Sequence, residues 1–475
     1  MVQYRSSTER YGDWHSLEAP NSRTTVCRKA HAGCARLVPG LRILGLRVLG
    51  FRTFSVYPTL GCFLQMQRSS DRSPFMVDSG RSGVLSKPLP QATDSSYEVI
   101  AYQPEFKQQV LELQTQLWSP SLELNRAYFD WKYERNPYLS TPLIYLALHQ
   151  GKVVGMRGFS GLRWEAGSPP QILTGLYADD MVIDRDHRKR GLMRLIMDAA
   201  FKDLALLGCE YVFNLSAGPV TFVSSLSMGW QSPGSMQPMR WRSWRLAGST
   251  GMHRIATHFP ALSRRAGRVL TAKLREDARA LAATDPIQVR SRLRNNSSIS
   301  FAVEPRVDDM SALVNRIGSD GRIRHVRDHC YLGWRFQNPL SRYGFLFYQK
   351  EGLEGYLVLQ EYTSEFADRT ALNIVDWEGT SVQALSQLLE AARQAAGHRK
   401  LLITWGASFS KDKLELLAKS GFQLIEGEPG TDCHQPALLV RSLTQDLPAS
   451  EWQFAGRRLV DMAEWDLRML YSMCG

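Results

Sequence analysis

The chain is 475 residues long and 44% apolar, which suits a globular protein of two or three domains. Its formal net charge of +12 invites a nucleic-acid or membrane partner, but the excess is local. Residues 1–90 hold 13 basic and 5 acidic side chains, residues 238–297 hold 13 and 3, and the remainder is net acidic, so the basicity belongs to a tail and a connector and argues against a basic nucleic-acid-binding fold.

Residues 1–95 are rich in Arg and Ser and show little helical or strand periodicity, so a disordered basic extension is expected. A surface-binding arm or targeting segment is the functional alternative, and a start at Met66 or Met76 would remove most of it. The stretch 41–65 is apolar, but Arg42, Arg47 and Arg52 would each cost about 2.5–3.5 kcal/mol at a bilayer centre, so no transmembrane helix is expected. Seven scattered cysteines with no Cys-x-x-Cys pair fit a reducing cytoplasm and give no metal site.

From residue 96 the pattern becomes regular. A short strand is predicted over 97–102, then a helix over 103–117 behind Pro104, with Phe106, Val110, Leu111, Leu113 and Leu117 on one stripe. The string Asp130-Trp-Lys-Tyr-Glu-Arg-Asn-Pro137 follows. Apolar runs over 143–148 and 153–159, joined by His-Gln-Gly-Lys, read as a hairpin. A strand over 176–184, a helix over 191–207, a strand over 211–215 and a short helix over 219–228 complete an α/β layered domain at 96–237. Residues 238–297 read as a basic connector with helical stretches, whose Trp241 and Trp244 among arginines suit weak contact with an anionic membrane.

The early pattern then returns. Tyr331-Leu-Gly-Trp-Arg-Phe-Gln-Asn-Pro339 mirrors the Trp131 string, and the strand-proline and Gly-containing hairpin pieces recur at offsets of 200 to 203 residues. A near-constant offset signals duplication. A second, similar domain is expected at 298–445, with a C-terminal segment at 446–475.

The residues that carry chemistry are 181–193, Met-Val-Ile-Asp-Arg-Asp-His-Arg-Lys-Arg-Gly-Leu-Met. A strand ends, a polar turn follows and a helix opens at Gly191. Unpaired amides at such a turn and helix start attract phosphate, and Arg188, Lys189 and Arg190 add positive charge. This segment resembles the Val-x-x-x-x-Arg-x-x-Gly-x-Gly/Ala cofactor motif of the GNAT acetyltransferase superfamily, with Ile183, Arg188 and Gly191 in register and Met193 departing from Gly or Ala.

The resemblance implies tandem domains, each a mixed, mostly antiparallel sheet flanked by helices, with acetyl-CoA as donor to the first copy and no metal. It implies that the amides of Met181 and Ile183, flanking Val182, meet the pantetheine arm, and that those of Arg188, Lys189, Arg190, Gly191, Leu192 and Met193 hold the pyrophosphate. Asn214 would touch the pantetheine or a water, or else cap local backbone. The second copy lacks the motif and is expected to bind no CoA.

For the amine's proton, Asp179 and Asp180 are the candidate bases. Alternation puts them on opposite faces, and Asp180 is favoured as the one facing the acceptor. The competing reading pairs either with an arginine or a backbone amide. Many family members place a tyrosine acid four residues before the Gly of a Gly-aromatic pair; here that place is Ser225. Trp131, Tyr133 and Arg135 are candidate acceptor contacts, although recurrence of the tryptophan in the second copy favours a structural role. The expected activity is N-acetylation of a primary amine on a small molecule, such as an amino sugar or a cell-surface precursor. The alternatives are aminoacyl transfer from a charged tRNA, or a non-catalytic membrane-associated scaffold.

Overall fold

The structure, a computed structural model, describes residues 96–242, 293, 297–363, 371–397, 401–425, 436–444 and 447–472. The expected extension at 1–95 and the helical stretches expected within 238–297 lie outside the described residues. No helix among the described residues is long and apolar enough to cross a membrane.

The first half runs β1 (Tyr97–Ala101), α1 (Lys107–Gln114), α2 (Leu122–Phe129), β2 (Leu143–His149), β3 (Lys152–Ala166), β4 (Gln171–Ile183), α3 (Leu192–Leu206), β5 (Tyr211–Asn214), α4 (Pro219–Ser227), β6 (Gln231–Ser235) and β7 (Pro238–Trp241). The predicted stripe forms α1, which buries Val110, Leu111 and Leu113. Gln150 and Gly151 both take positive φ, of 50° and 75°, which closes the predicted hairpin between β2 and β3. Helix α3 buries Leu192, Ile196, Met197, Ala200 and Leu204 on the sheet, as its 3.6-residue period requires.

The second half repeats this order: β8 (Ile299–Ala302), α5 (Val307–Ile317), β9 (Ile323–His325), α6 (His329–Arg335), β10 (Ser341–Gln349), β11 (Leu353–Tyr362), β12 (Ala371–Gly379), α7 (Val382–Ala396), β13 (Leu401–Trp405), α8 (Lys411–Lys419), β14 (Gln423–Leu424) and β15 (Ala437–Ser442). A small hairpin of β16 (Gln453–Phe454) and β17 (Arg457–Arg458) and a last strand, β18 (Trp465–Asp466), follow.

The two sheets exchange strands. The first has the order β1-β2-β3-β4-β5-β15-β6, and the second β14-β7-β13-β12-β11-β10-β8. Among the described residues only β4–β5, β12–β13 and β9–β18 are parallel pairs. The domain boundaries expected from sequence are therefore cut differently in space. Pro238–Trp241, read as the start of the connector, is a strand of the second sheet, and Ala437–Ser442, read as the end of the second domain, lies in the first. The physical reason is edge pairing: β5 and β13 would each expose a row of unpaired backbone groups, and a strand from the other half satisfies it. In addition β9 extends the first sheet beside β3, and β18 pairs with β9.

Trp131 and Trp334 sit at the centre of this arrangement. Their rings stack at 4.8 Å and 10°, and each indole N–H donates to the other residue's carbonyl, at 2.7 and 2.9 Å. This reciprocal pair joins corresponding residues of the two halves, 203 positions apart in the chain. One apolar core runs across it, joining Trp131 and Trp164 to Tyr331, Trp334 and Trp465.

Candidate functional site

Strands β4 and β5 run side by side only as far as Tyr177 and Phe213. One step on, Asn214 Nδ2 donates to the Ala178 carbonyl at 2.7 Å and its Oδ1 accepts from the Ser216 amide. Beyond that point β4 has no strand partner on this side among the described residues. Asn214 thus caps backbone at the parting of the strands, the second of the two readings expected for it. Thr404 does the same in the second half, donating to the Ile374 carbonyl at 3.0 Å.

The free edge of β4 presents amides. The Asp184 N–H donates to Val154 on β3, so strand alternation turns the N–H groups of Ile183 and Met181 to the opposite edge, where β5 has left. Asp184 then caps a short turn by accepting from the Asp186 amide, a bond that lowers its carboxyl pKa below the ordinary range. Arg188 folds back so that its Nε donates to the Ile183 carbonyl at 3.0 Å, and Arg190 donates to the Tyr97 hydroxyl and the Asp186 carbonyl. Two of the three basic residues therefore brace the turn as well as charging it.

Lys189 and Gly191 close the turn at φ of 64° and 76°. Helix α3 begins at Leu192 with Gly191 as an N-cap that offers no side chain, so the amides of the first turn point outward without helical acceptors. A Cβ placed on Gly191 would meet nothing within 4 Å. The turn is open rather than plugged, and unpaired amides at a helix start with a free strand edge beside them fit a phosphate-bearing cofactor with an extended arm. The second half has no such turn: β12 passes into α7 through Ser381, whose side chain accepts from the Ala384 amide and caps the helix itself.

Below the parting lies a buried charge cluster. Lys132, in a π-helical turn that continues α2 over Asp130–Glu134, is fully buried. Its ammonium donates to Asp179 Oδ2 at 2.8 Å, Asp180 Oδ1 at 2.7 Å and the Tyr128 hydroxyl at 3.1 Å. Asp180 also accepts from Gln114, Trp118 and Tyr133, at 3.1, 3.2 and 2.7 Å. Burial raises its carboxyl pKa above the ordinary range, with Lys132 pulling the other way.

Both carboxylates reach one lysine, which corrects the expectation that alternation separates them. A β-bulge is the cause: Gly158 faces Asp179 and Met156 faces Val182, so β4 holds two residues where β3 holds one, and Asp180 takes a φ of 52°. Asp179 is the more accessible, with 10% of its side chain exposed against none for Asp180.

The remaining expected residues are scattered. Trp131 belongs to the contact between the halves and not to an acceptor site, as its fully buried stack on Trp334 requires. Tyr133 is buried and donates to Asp180, so it supports the cluster. Arg135 is exposed at the end of the π turn. Ser225 is 2% exposed, buried within α4. Lys132, Trp118, Gln114 and Tyr128 escaped the sequence reading. The one available signal was the spacing of Tyr128 and Lys132, four apart on a helical turn, beside an acidic pair at 179–180.

The segment 107–219 matches the acetyltransferase (GNAT) family. No curated protein matches the chain in sequence. Among solved structures, one from Enterococcus faecalis described as a probable N-acyltransferase is 11% identical, with 73% of this chain and 72% of that one covered at a TM-score of 0.47. A GCN5-related N-acetyltransferase from Anabaena variabilis is 14% identical, covering 73% of each at 0.44. A tandem GNAT protein from the clavulanic acid biosynthesis pathway is 12% identical, covering 74% of this chain and 99% of that one at 0.43. These likenesses are distant, and the assignment stands on the matched segment and the architecture around it. Residues 107–219 carry the GNAT acetyltransferase fold, and its strand, hairpin and parting strands recur in the second half, with a serine-capped helix in place of the glycine-opened one.

Proposed function

We propose that the first half transfers an acetyl group from acetyl-CoA to a primary amine of a small molecule. The observation that carries this reading is the open turn at 188–193, whose outward amides lie next to the free edge of β4. In this reading the amides of Met181 and Ile183 bind the pantetheine arm, and those between Arg188 and Met193, with the charge of Lys189, hold the pyrophosphate. The donor supplies an acyl group already activated as a thioester. The protein's part is to orient the amine and take its proton.

We assign the proton to Asp179 rather than Asp180. Asp179 is the carboxylate with exposed side chain, whereas Asp180 is enclosed by four donors. Lys132 holds both in place. Donor binding belongs to the first half alone, a reading supported by the self-capped start of α7. The scattered cysteines support a reducing, cytoplasmic compartment.

Titration calorimetry with CoA tests the proposal directly. One equivalent should bind in the micromolar range, and thiol release from acetyl-CoA should then depend on an added amine. Absence of binding at several hundred micromolar CoA would overturn it.

A further inference from the structure

Among the described residues, four arginines have 3% or less of their surface exposed: Arg157, Arg327, Arg335 and Arg468. Three are held by carboxylates, carbonyls or a hydroxyl, although the Nε of Arg327 and that of Arg468 find no hydrogen-bond acceptor. Arg327 donates to Asp376 and Glu378, both at 2.8 Å. Arg335 donates to the carbonyls of Leu470 and Ser472 and to the Tyr343 hydroxyl. Arg468 pairs with Asp466 and Glu378.

Arg157 is the exception. It is 2% exposed, its Nε has no hydrogen-bond partner, and among the described residues its guanidinium makes no hydrogen bond or ion pair. A guanidinium carries five donors in a fixed plane, and leaving the buried Nε–H unmet costs about 1–3 kcal/mol. Its position is also particular. Arg157 is the single residue of β3 between Met156 and Gly158, opposite the bulge at Asp180 and Met181. That is the stretch of β4 where β5 has already turned away. The surrounding groups are Asp179, Asp180, Tyr133 and Tyr177, whose oxygens favour the charged guanidinium while burial opposes it.

We propose that Arg157 is a specificity-determining residue that receives a carboxylate on the acceptor, so that the substrate class is a small amine bearing a carboxylate. The planar fork matches the two oxygens of a carboxylate, and an ion taken from water into this buried position is held by paired hydrogen bonds. Asp179 then lies within the same cluster to take the proton of the amine at the other end of the molecule. This inference rests on the transferase reading and adds to it the chemistry of the acceptor.

The test uses the full chain with acetyl-CoA and matched acceptor pairs: glycine, β-alanine and 4-aminobutyrate, each against its carboxamide. In the last pair three methylenes separate the amine from the carbonyl, so amine basicity is nearly matched. The expected result is a kcat/KM at least about tenfold higher for the acid in one or more pairs, expressed mainly in KM. Arg157→Gln should abolish the acid preference and Arg157→Lys should reduce it, with CoA affinity by calorimetry unchanged in both as the measure of an intact fold. Equal rates for acids and amides, a preference that survives Arg157→Gln, or failure of every acid to react while CoA binds would each overturn the assignment of Arg157. Failure of the wild-type chain to bind CoA is a separate result and removes the transferase reading together with this one.

Discussion

Lys132 is fully buried between two carboxylates and beside Tyr128, and its ammonium also lies 5.5 Å from the Trp118 ring and 5.1 Å from that of Tyr128. Burying three charges is costly, and the attraction among them offsets the cost only while all three are present. Replacing the lysine by methionine keeps the volume and removes the cation. Asp179 and Asp180 then face each other in a low-dielectric site with no counter-charge from the helix side. The expected destabilisation is about 3–5 kcal/mol, read as a lowered urea midpoint at unchanged slope. A loss below about 1 kcal/mol would show that water, and not Lys132, neutralises the pair. Gly158 belongs to the same assembly: a Cβ there would fall 1.8 Å from the Tyr133 hydroxyl, so the glycine is what lets Tyr133 reach Asp180.

At the scale of the element, the turn from Asp184 to Gly191 joins strand to helix with two positive φ angles in three residues. Gly191→Ala separates its structural from its binding role. An alanine at φ of 76° carries strain of about 1–2 kcal/mol, and its methyl projects into the open space over the turn. CoA affinity should fall at least about tenfold by calorimetry, while the unfolding midpoint moves by no more than that strain implies. Equal CoA affinity in the variant would place the diphosphate elsewhere. This turn was legible in the sequence because its chemistry is local: a strand run, a basic polar stretch, a glycine and an amphipathic helix are contiguous. The hairpin and the duplication were legible for the same reason, one from Gln-Gly turn chemistry and the other from an offset near 200. The role of Asp180 was not, and for Asn214 the choice between a ligand and a backbone contact stayed open. A bulge changes which way a side chain points without changing the residue, and Asn214 caps a carbonyl 36 positions away that only the tertiary fold brings near. Lys132 was hidden because a lysine in a helical string reads as solvated until its burial is known.

At the scale of the molecule, strand exchange and the Trp131–Trp334 pair make the halves one structural unit, and the contact between them carries a titratable group. His325 lies in β9, the strand of the second half that pairs with β3 of the first. Its ring is 1% exposed and packs on Trp164, Tyr331 and Tyr471 at 5.0, 4.3 and 4.8 Å. Burial drives its pKa from 6.5 down to about 3; the bond to the Val326 carbonyl opposes this, while Arg327 and Arg335 add to it. The sign follows from proton counting. Between about pH 6.5 and about pH 3 the unfolded chain binds a proton at this histidine and the folded chain does not, so stability is lost as the pH drops through that window. One pKa unit corresponds to about 1.4 kcal/mol, so near pH 4.5 the contribution is about 2–3 kcal/mol of lost stability. His325→Phe keeps an aromatic ring in the contact and removes the titration. Thermal unfolding between pH 7.5 and pH 4.5 should show the variant losing less Tm than the wild type, with the two curves diverging below about pH 6.5. Because β9 belongs to both halves, the wild-type transition should remain single as it moves down. Parallel curves would mean that the ring is hydrated and titrates alike in both states.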